Sequence, residues 1–111
     1  MNLNLMSEVI KPESEQQLNG LLKTHDEVLL AISEEWCSVC RVMEGTLINA
    51  AFELKGKAVV LKSDVVTSQS ITDKLNLKSI PVYVVFHQGE VSEVLYGRQP
   101  IQALTKFWNE L

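Results

Sequence analysis

The chain holds two cysteines, and they stand together in Trp36-Cys37-Ser38-Val39-Cys40. A thiol is a useful nucleophile only as its thiolate, and the unpaired amides and dipole at a helix N-terminus favour that form. A second cysteine three residues on lies about one turn further along the same helix face, within reach of a mixed disulfide formed at the first. The spacing therefore suits two successive exchange steps. Cys37 is the expected attacking thiol at the exposed end, and Cys40 the resolving thiol, covered by the helix it belongs to.

Other chemistries suit the pair less well. Zinc takes four ligands, and the remaining candidates, His25 and His87, stand in no C-x-x-H or H-x-x-H arrangement. A metal shared between two chains stays open. A structural disulfide across so short a loop removes little unfolded-state entropy. Two inert core thiols would not need this spacing beside a tryptophan. A binding module whose pair turns over little also stays open at this point.

For Cys37 to open a helix, a strand must deliver it. Val28-Leu29-Leu30-Ala31-Ile32 is a continuous apolar run that suits a central strand covered on both faces, and it stops just before the cysteines. From Cys37 onward, Val39, Val42, Met43, Leu47, Ala50 and Leu54 follow helical spacing, with Gly56 as terminator. Upstream, Ser14-Glu15-Gln16-Gln17 is a capping box ahead of Leu18, Leu21 and Leu22, which predicts a helix from Ser14 to Thr24. Downstream, Ala58 to Leu61 reads as a strand, Ser68 to Leu75 as a short helix, and Val82 to Phe86, Gln88-Gly89 and Val91 to Tyr96 as a hairpin. Ile101, Leu104, Phe107, Trp108 and Leu111 mark one face of a last helix with Pro100 in its first position, and Leu3 to Leu5 is an expected edge strand. Alternating strands and helices predict an α/β fold whose sheet is partly parallel.

Composition narrows the partners. The 111 residues carry ten basic and fourteen acidic side chains, a net charge of −4, with no run of like charge. That argues against nucleic acid and anionic membrane. No apolar run approaches the roughly 18 residues of a membrane span. The first eleven residues lack the charge, apolar stretch and cleavage site of a secretory signal, and no framework of spaced cysteines is present. A cytoplasmic, reducing location is the expectation. Without repeats, linkers or low-complexity segments, residues 1–111 read as one domain.

Taken together, these residues resemble the thioredoxin family over most of the chain. The apolar strand followed by Trp36-Cys37-x-x-Cys40-Arg41 is similar to the family's active-site segment. Ser79-Ile80-Pro81 ahead of the next strand is similar to its loop with a cis proline, and Gly89 and Gly97 match glycines of its pattern. The resemblance implies a thioredoxin-like fold: a central mixed sheet of four to five strands flanked by helices on both faces. It implies that Ile80-Pro81 is cis and packs by the cysteines, and that the Ile80 backbone pairs with a substrate peptide. Trp36 and Gly97 then contact the same peptide. It implies disulfide exchange on protein substrates with no bound cofactor, by a monomer that draws electrons from an NADPH-dependent flavoprotein thioredoxin reductase.

The chain also departs from that pattern. Ser38-Val39 replaces the usual Gly-Pro, Ala31 replaces a buried aspartate thought to help deprotonate the second cysteine, Ser33 replaces an aromatic residue, and Gly45 a helix-kinking proline. Slow resolution by Cys40 is the expected consequence. Glu34 and Glu35 are expected in a solvated loop, where their charge would raise the pKa of Cys37 against the helix dipole and Arg41. Lys62 aligns ambiguously with a lysine that some relatives place beside the buried aspartate. Met43, Phe107 and Trp108 are expected in the core.

Overall fold

The apolar run ahead of the cysteines forms the central strand of a five-stranded sheet. The structure, a computed structural model, describes residues 8–109. Its elements are β1 (Val9–Ile10), α1 (Glu15–Thr24), β2 (Glu27–Ile32), α2 (Ser38–Glu53), β3 (Val59–Ser63), α3 (Gln69–Leu75), β4 (Val82–His87), β5 (Glu90–Tyr96) and α4 (Ile101–Asn109). The order across the sheet is β1-β3-β2-β4-β5, parallel from β1 to β2 and antiparallel through β4 and β5. This is the mixed architecture expected from the sequence.

Alternation of side chains along β2 explains the layers. Leu29 and Ala31 point with Val60, Tyr83 and Val85 toward α2 and α4, which supply Met43, Leu47, Leu104 and Trp108. Val28, Leu30 and Ile32 point the other way, with Leu61, Val82 and Val84, toward Leu18 of α1 and the half-buried Ile71 and Leu75 of α3. Burying one such side chain fully contributes about 1.5–3 kcal/mol, more than a typical helix cap, so the sheet faces rather than the helix ends hold the layers together. Trp108 is buried yet satisfied, because its Nε1 donates to Glu27 Oε1 at 2.9 Å.

Helix α1 starts where the capping box places it: Ser14 Oγ accepts from the amide of Gln17 at 3.0 Å. The Gln17 carboxamide turns to the amide of Glu13 instead of that of Ser14. Along α2 and its C-cap Leu54 the buried stripe is Cys40, Met43, Leu47, Ala50 and Leu54, whereas Val39 and Val42 are exposed. The expected stripe therefore needs correction at its start, where Cys40 takes the inward position. The edge strand expected at Leu3 to Leu5 lies outside the described residues, as does Leu111; the edge strand observed is Val9–Ile10, parallel to β3. Helix α4 begins one residue after Pro100. The hairpin turn is Gln88-Gly89, with φ of 53° and 82°, the left-handed pair that a two-residue turn requires.

Sheet register decides what meets at each end. Ile32 pairs with Ser63 on one side and Val82 on the other, and Val82 pairs with Tyr96. The segments that follow β2, β3 and β5 and precede β4 thus leave from one end of the sheet. Glu27, His87 and Glu90 form the opposite end.

Candidate active site

Leaving β2, the chain crosses Ser33 to Trp36 and enters α2 with Cys37 as its N-cap, at φ −88° and ψ 115°. In that conformation the Cys37 Sγ accepts from the amide of Cys40 at 3.2 Å, satisfying one of the free amides of the first turn. The Cys37 amide donates to Glu34 O at 3.2 Å and closes the turn before the helix. Both thiols are free, Cys37 half-buried and Cys40 3% exposed.

The same geometry separates the two thiols chemically. A hydrogen bond from the Cys40 thiol is the largest influence holding Cys37 below the ordinary thiol pKa, and the amides of Cys40 and Val39 and the charge of Arg41 add to it. Burial, reinforced by that same hydrogen bond, pushes Cys40 up to about 11. The expected repulsion from Glu34 and Glu35 is not among the influences on Cys37. Instead of being a free charge, Glu34 accepts from the amide of Val65 at 2.9 Å and ties the active-site loop to the one after β3. Arg41 Nη1 donates to Glu35 O at 2.7 Å on the other side of the loop.

The remaining residues singled out by sequence lie at the same end of the sheet. Ile80-Pro81 is a cis peptide immediately before β4, with Pro81 buried and Ile80 half-buried. The amide of Gly97 donates to Pro81 O at 2.8 Å, which joins the end of β5 to the start of β4. Gly97 has φ +75°, so the backbone itself requires glycine there. Trp36 is 75% exposed beside the cysteines. The two histidines are elsewhere: His25 follows α1, and His87 pairs with Glu27 at 2.8 Å at the opposite end of the sheet. Among the described residues no cluster of three or more His, Cys, Asp or Glu side chains could hold a metal ion, and no helix is long and apolar enough to cross a membrane.

Beneath Cys40 lies a feature that sequence reading missed. Register sets Lys62, Ala31 and Tyr83 side by side across β3, β2 and β4, under the face of α2 that carries Cys40 and Glu44. Ala31 is the smallest of the three, and above its methyl group a cavity remains, walled by Met43 and Leu47. Lys62 therefore does neighbour Ala31, and its Nζ pairs with Glu44 Oε1 at 3.3 Å. Ser33 and Tyr83 also line the cavity, and the buried hydroxyl of each has no hydrogen-bond partner. Burial, with the two nearby thiols, raises the Tyr83 phenol well above its usual range. No periodicity marks this group, because its members come from four separate segments.

Comparison with known proteins agrees with the geometry. The sequence pattern of the Thioredoxin family matches residues 8–110. Thioredoxin of Rickettsia felis is 29% identical over 90 residues, covering 81% of this chain and 86% of that one. Thioredoxin of Staphylococcus saprophyticus is 35% identical over 71 residues, 64% of this chain and 68% of the other. Among solved structures, a mutant thioredoxin from Halobacterium salinarum superposes with a TM-score of 0.81 at 25% identity, covering 94% of this chain and 90% of its own. Mitochondrial thioredoxin 3 of Saccharomyces cerevisiae shares the fold, with a TM-score of 0.76 at 21% identity over 93% of this chain and 95% of that one.

Proposed function

The chain belongs to the thioredoxin family and is a thiol-disulfide oxidoreductase; on that premise we propose that it reduces protein disulfides through a mixed disulfide at Cys37 that Cys40 resolves. The observation that carries this assignment of roles is the asymmetry of the pair. Cys37 sits at the helix N-cap with its thiolate favoured, and Cys40 is buried with its proton held. A nucleophile must be ionised and reachable, and a resolving thiol must wait until the first bond has formed.

In the first step the Cys37 thiolate attacks one sulfur of a substrate disulfide, and the other sulfur leaves with the bonding pair and takes up a proton. In the second, Cys40 Sγ loses its proton and bonds to Cys37 Sγ, and the second substrate sulfur leaves as a thiol. The substrate gains two electrons, and the protein ends with a Cys37–Cys40 disulfide. Ile80, whose backbone precedes the cis proline, holds the substrate chain as an extended strand, and Pro81 packs against the pair. Trp36 presents its exposed indole to the same chain, and Gly97 leaves room for it to approach. Placement of all four at the cysteine end of the sheet supports these roles.

An NADPH-dependent flavoprotein thioredoxin reductase returns the protein to the dithiol, with no cofactor bound to the chain itself. The protein works as a monomer in the cytoplasm, and the lone cysteine pair without a framework of structural disulfides supports the reducing compartment. Reduction of insulin disulfides tests the assignment. Cys37→Ser should abolish it, and Cys40→Ser should accumulate a covalent complex with substrate. Full activity in Cys37→Ser refutes the proposal.

A further inference from the structure

The second step needs a path for a proton. Cys40 is 3% exposed, so bulk water does not reach its thiol freely. Besides Cys40, the residues with polar side chains that line the cavity are Ser33 and Tyr83, each with an unpartnered hydroxyl, and the Glu44–Lys62 pair. The cavity offers about 10 Å³ to water, the room for one molecule, and a buried water needs two to four polar partners. Those two hydroxyls are buried donors and acceptors that are destabilising when left without a partner. Glu44 is half exposed, four residues beyond Cys40 on α2, so its carboxylate joins the cavity to solvent.

We infer that this cavity is the proton exit of Cys40: one water held by the Ser33 and Tyr83 hydroxyls takes the thiol proton and passes it to the Glu44 carboxylate, which Lys62 holds in place. This deepens the reading of Cys40 as the resolving thiol and rests on it. As Cys40 Sγ bonds to Cys37 Sγ, the bond from Cys37 to the substrate sulfur breaks, and that sulfur leaves with the electron pair. It is reprotonated from solvent, while the Cys40 proton reaches Glu44 and then solvent. The charged and titratable groups lining the cavity are Cys40 and Glu44 from α2, Lys62 from β3 and Tyr83 from β4, with Cys37 at the N-cap near enough to act on Tyr83 through its charge. Glu44 is the sole carboxylate lining the cavity, and it reaches solvent, which makes it the acceptor. Ser33, Tyr83 and Lys62 are positioning residues.

Stopped-flow reaction of the reduced full-length protein with one equivalent of dithiobis(nitrobenzoate) separates the steps. The first thionitrobenzoate released reports attack by Cys37, and the second reports displacement by Cys40. Glu44→Gln and Tyr83→Phe should leave the first release unchanged and slow the second about tenfold or more near neutral pH. The slowed rates should then climb about tenfold per pH unit as hydroxide takes over, while the parent rate stays flat. A purely structural defect would slow the second release by one factor at every pH. That result, or second-release rates like the parent's in both variants, overturns the inference. Tyr83→Phe keeps the ring, and Ser33→Ala supplies the same readout should the phenylalanine variant fail to fold. A parent protein that releases only one thionitrobenzoate refutes the resolving role itself, and with it the exit.

Discussion

Alkylation by iodoacetamide tests the asymmetry of the cysteine pair directly. Cys40 lies near 11, while Cys37 lies below the ordinary thiol value of 9.0, so at least about two units separate them. At neutral pH that gives Cys37 about a hundredfold advantage in thiolate fraction. The less acidic thiolate is intrinsically the better nucleophile, which at a Brønsted coefficient of about 0.4–0.5 returns roughly a factor of ten over two units. Labelling of Cys37 should therefore outpace that of Cys40 by about tenfold from acidity alone, and by more once the burial of Cys40 is added. A brief pulse followed by peptide mass mapping gives both rates. The order of influences on Cys37 adds a second measurement. Removing the Cys40 donor with Cys40→Ala should move the labelling profile of Cys37 upward, and further than Arg41→Ala does, since the Arg41 charge is the weakest of the favourable influences. Equal labelling of the two cysteines refutes the reasoning, and so does a larger shift from Arg41→Ala than from Cys40→Ala.

The same shifts set the stability of the dithiol protein in alkali. Cys40 and Tyr83 keep their protons in the folded state above the pH at which the unfolded chain loses them, so their contribution is complete below about pH 9 and is lost as pH rises. For Cys40 the window runs from 9.0 to about 11 and is worth on the order of 2 kcal/mol. Cys37 has the opposite sign: its folded pKa is lowered, so its contribution is complete above 9.0 and is lost as pH falls. Urea titrations of the parent and of Cys40→Ala should show the variant losing less stability across that window; parallel curves would contradict the assignment. Two glycines should respond to alanine in opposite directions. Gly45 lies inside α2 with nothing within 4 Å of an added Cβ, so Gly45→Ala should stabilise by about 0.5–1 kcal/mol. Gly97 has equal room but a φ of +75°, so Gly97→Ala should destabilise by about 1–2 kcal/mol. Thermal melts of the two variants that shift in the same direction would refute this.

Much of the site was legible because local rules govern it. Apolar continuity in Val28 to Ile32, a cysteine pair one helical turn apart and a proline ahead of a strand are all readable from neighbours in the chain. The misreadings have a common origin. Val39 and Val42 entered the expected helix stripe on hydropathy, but only one side of α2 meets the sheet, and Cys40 with Met43, Leu47, Ala50 and Leu54 already occupies it at intervals of three and four. Glu34 looked like a free charge since its partner, the Val65 amide, is thirty-one residues away.

On its own, then, the sequence determined the order of elements, the helix that begins at Cys37, and the family with its disulfide chemistry, since each depends on spacing within a few residues or on a pattern along the chain. Spacing also suggested which cysteine attacks and which resolves, but tertiary structure alone decided how far apart the two thiols lie in acidity, because burial and hydrogen bonding set it. It also decided the cavity under Cys40. Lys62, Ala31 and Tyr83 meet there only through the register of three strands, and a one-residue slip would turn each of them to the opposite face of the sheet.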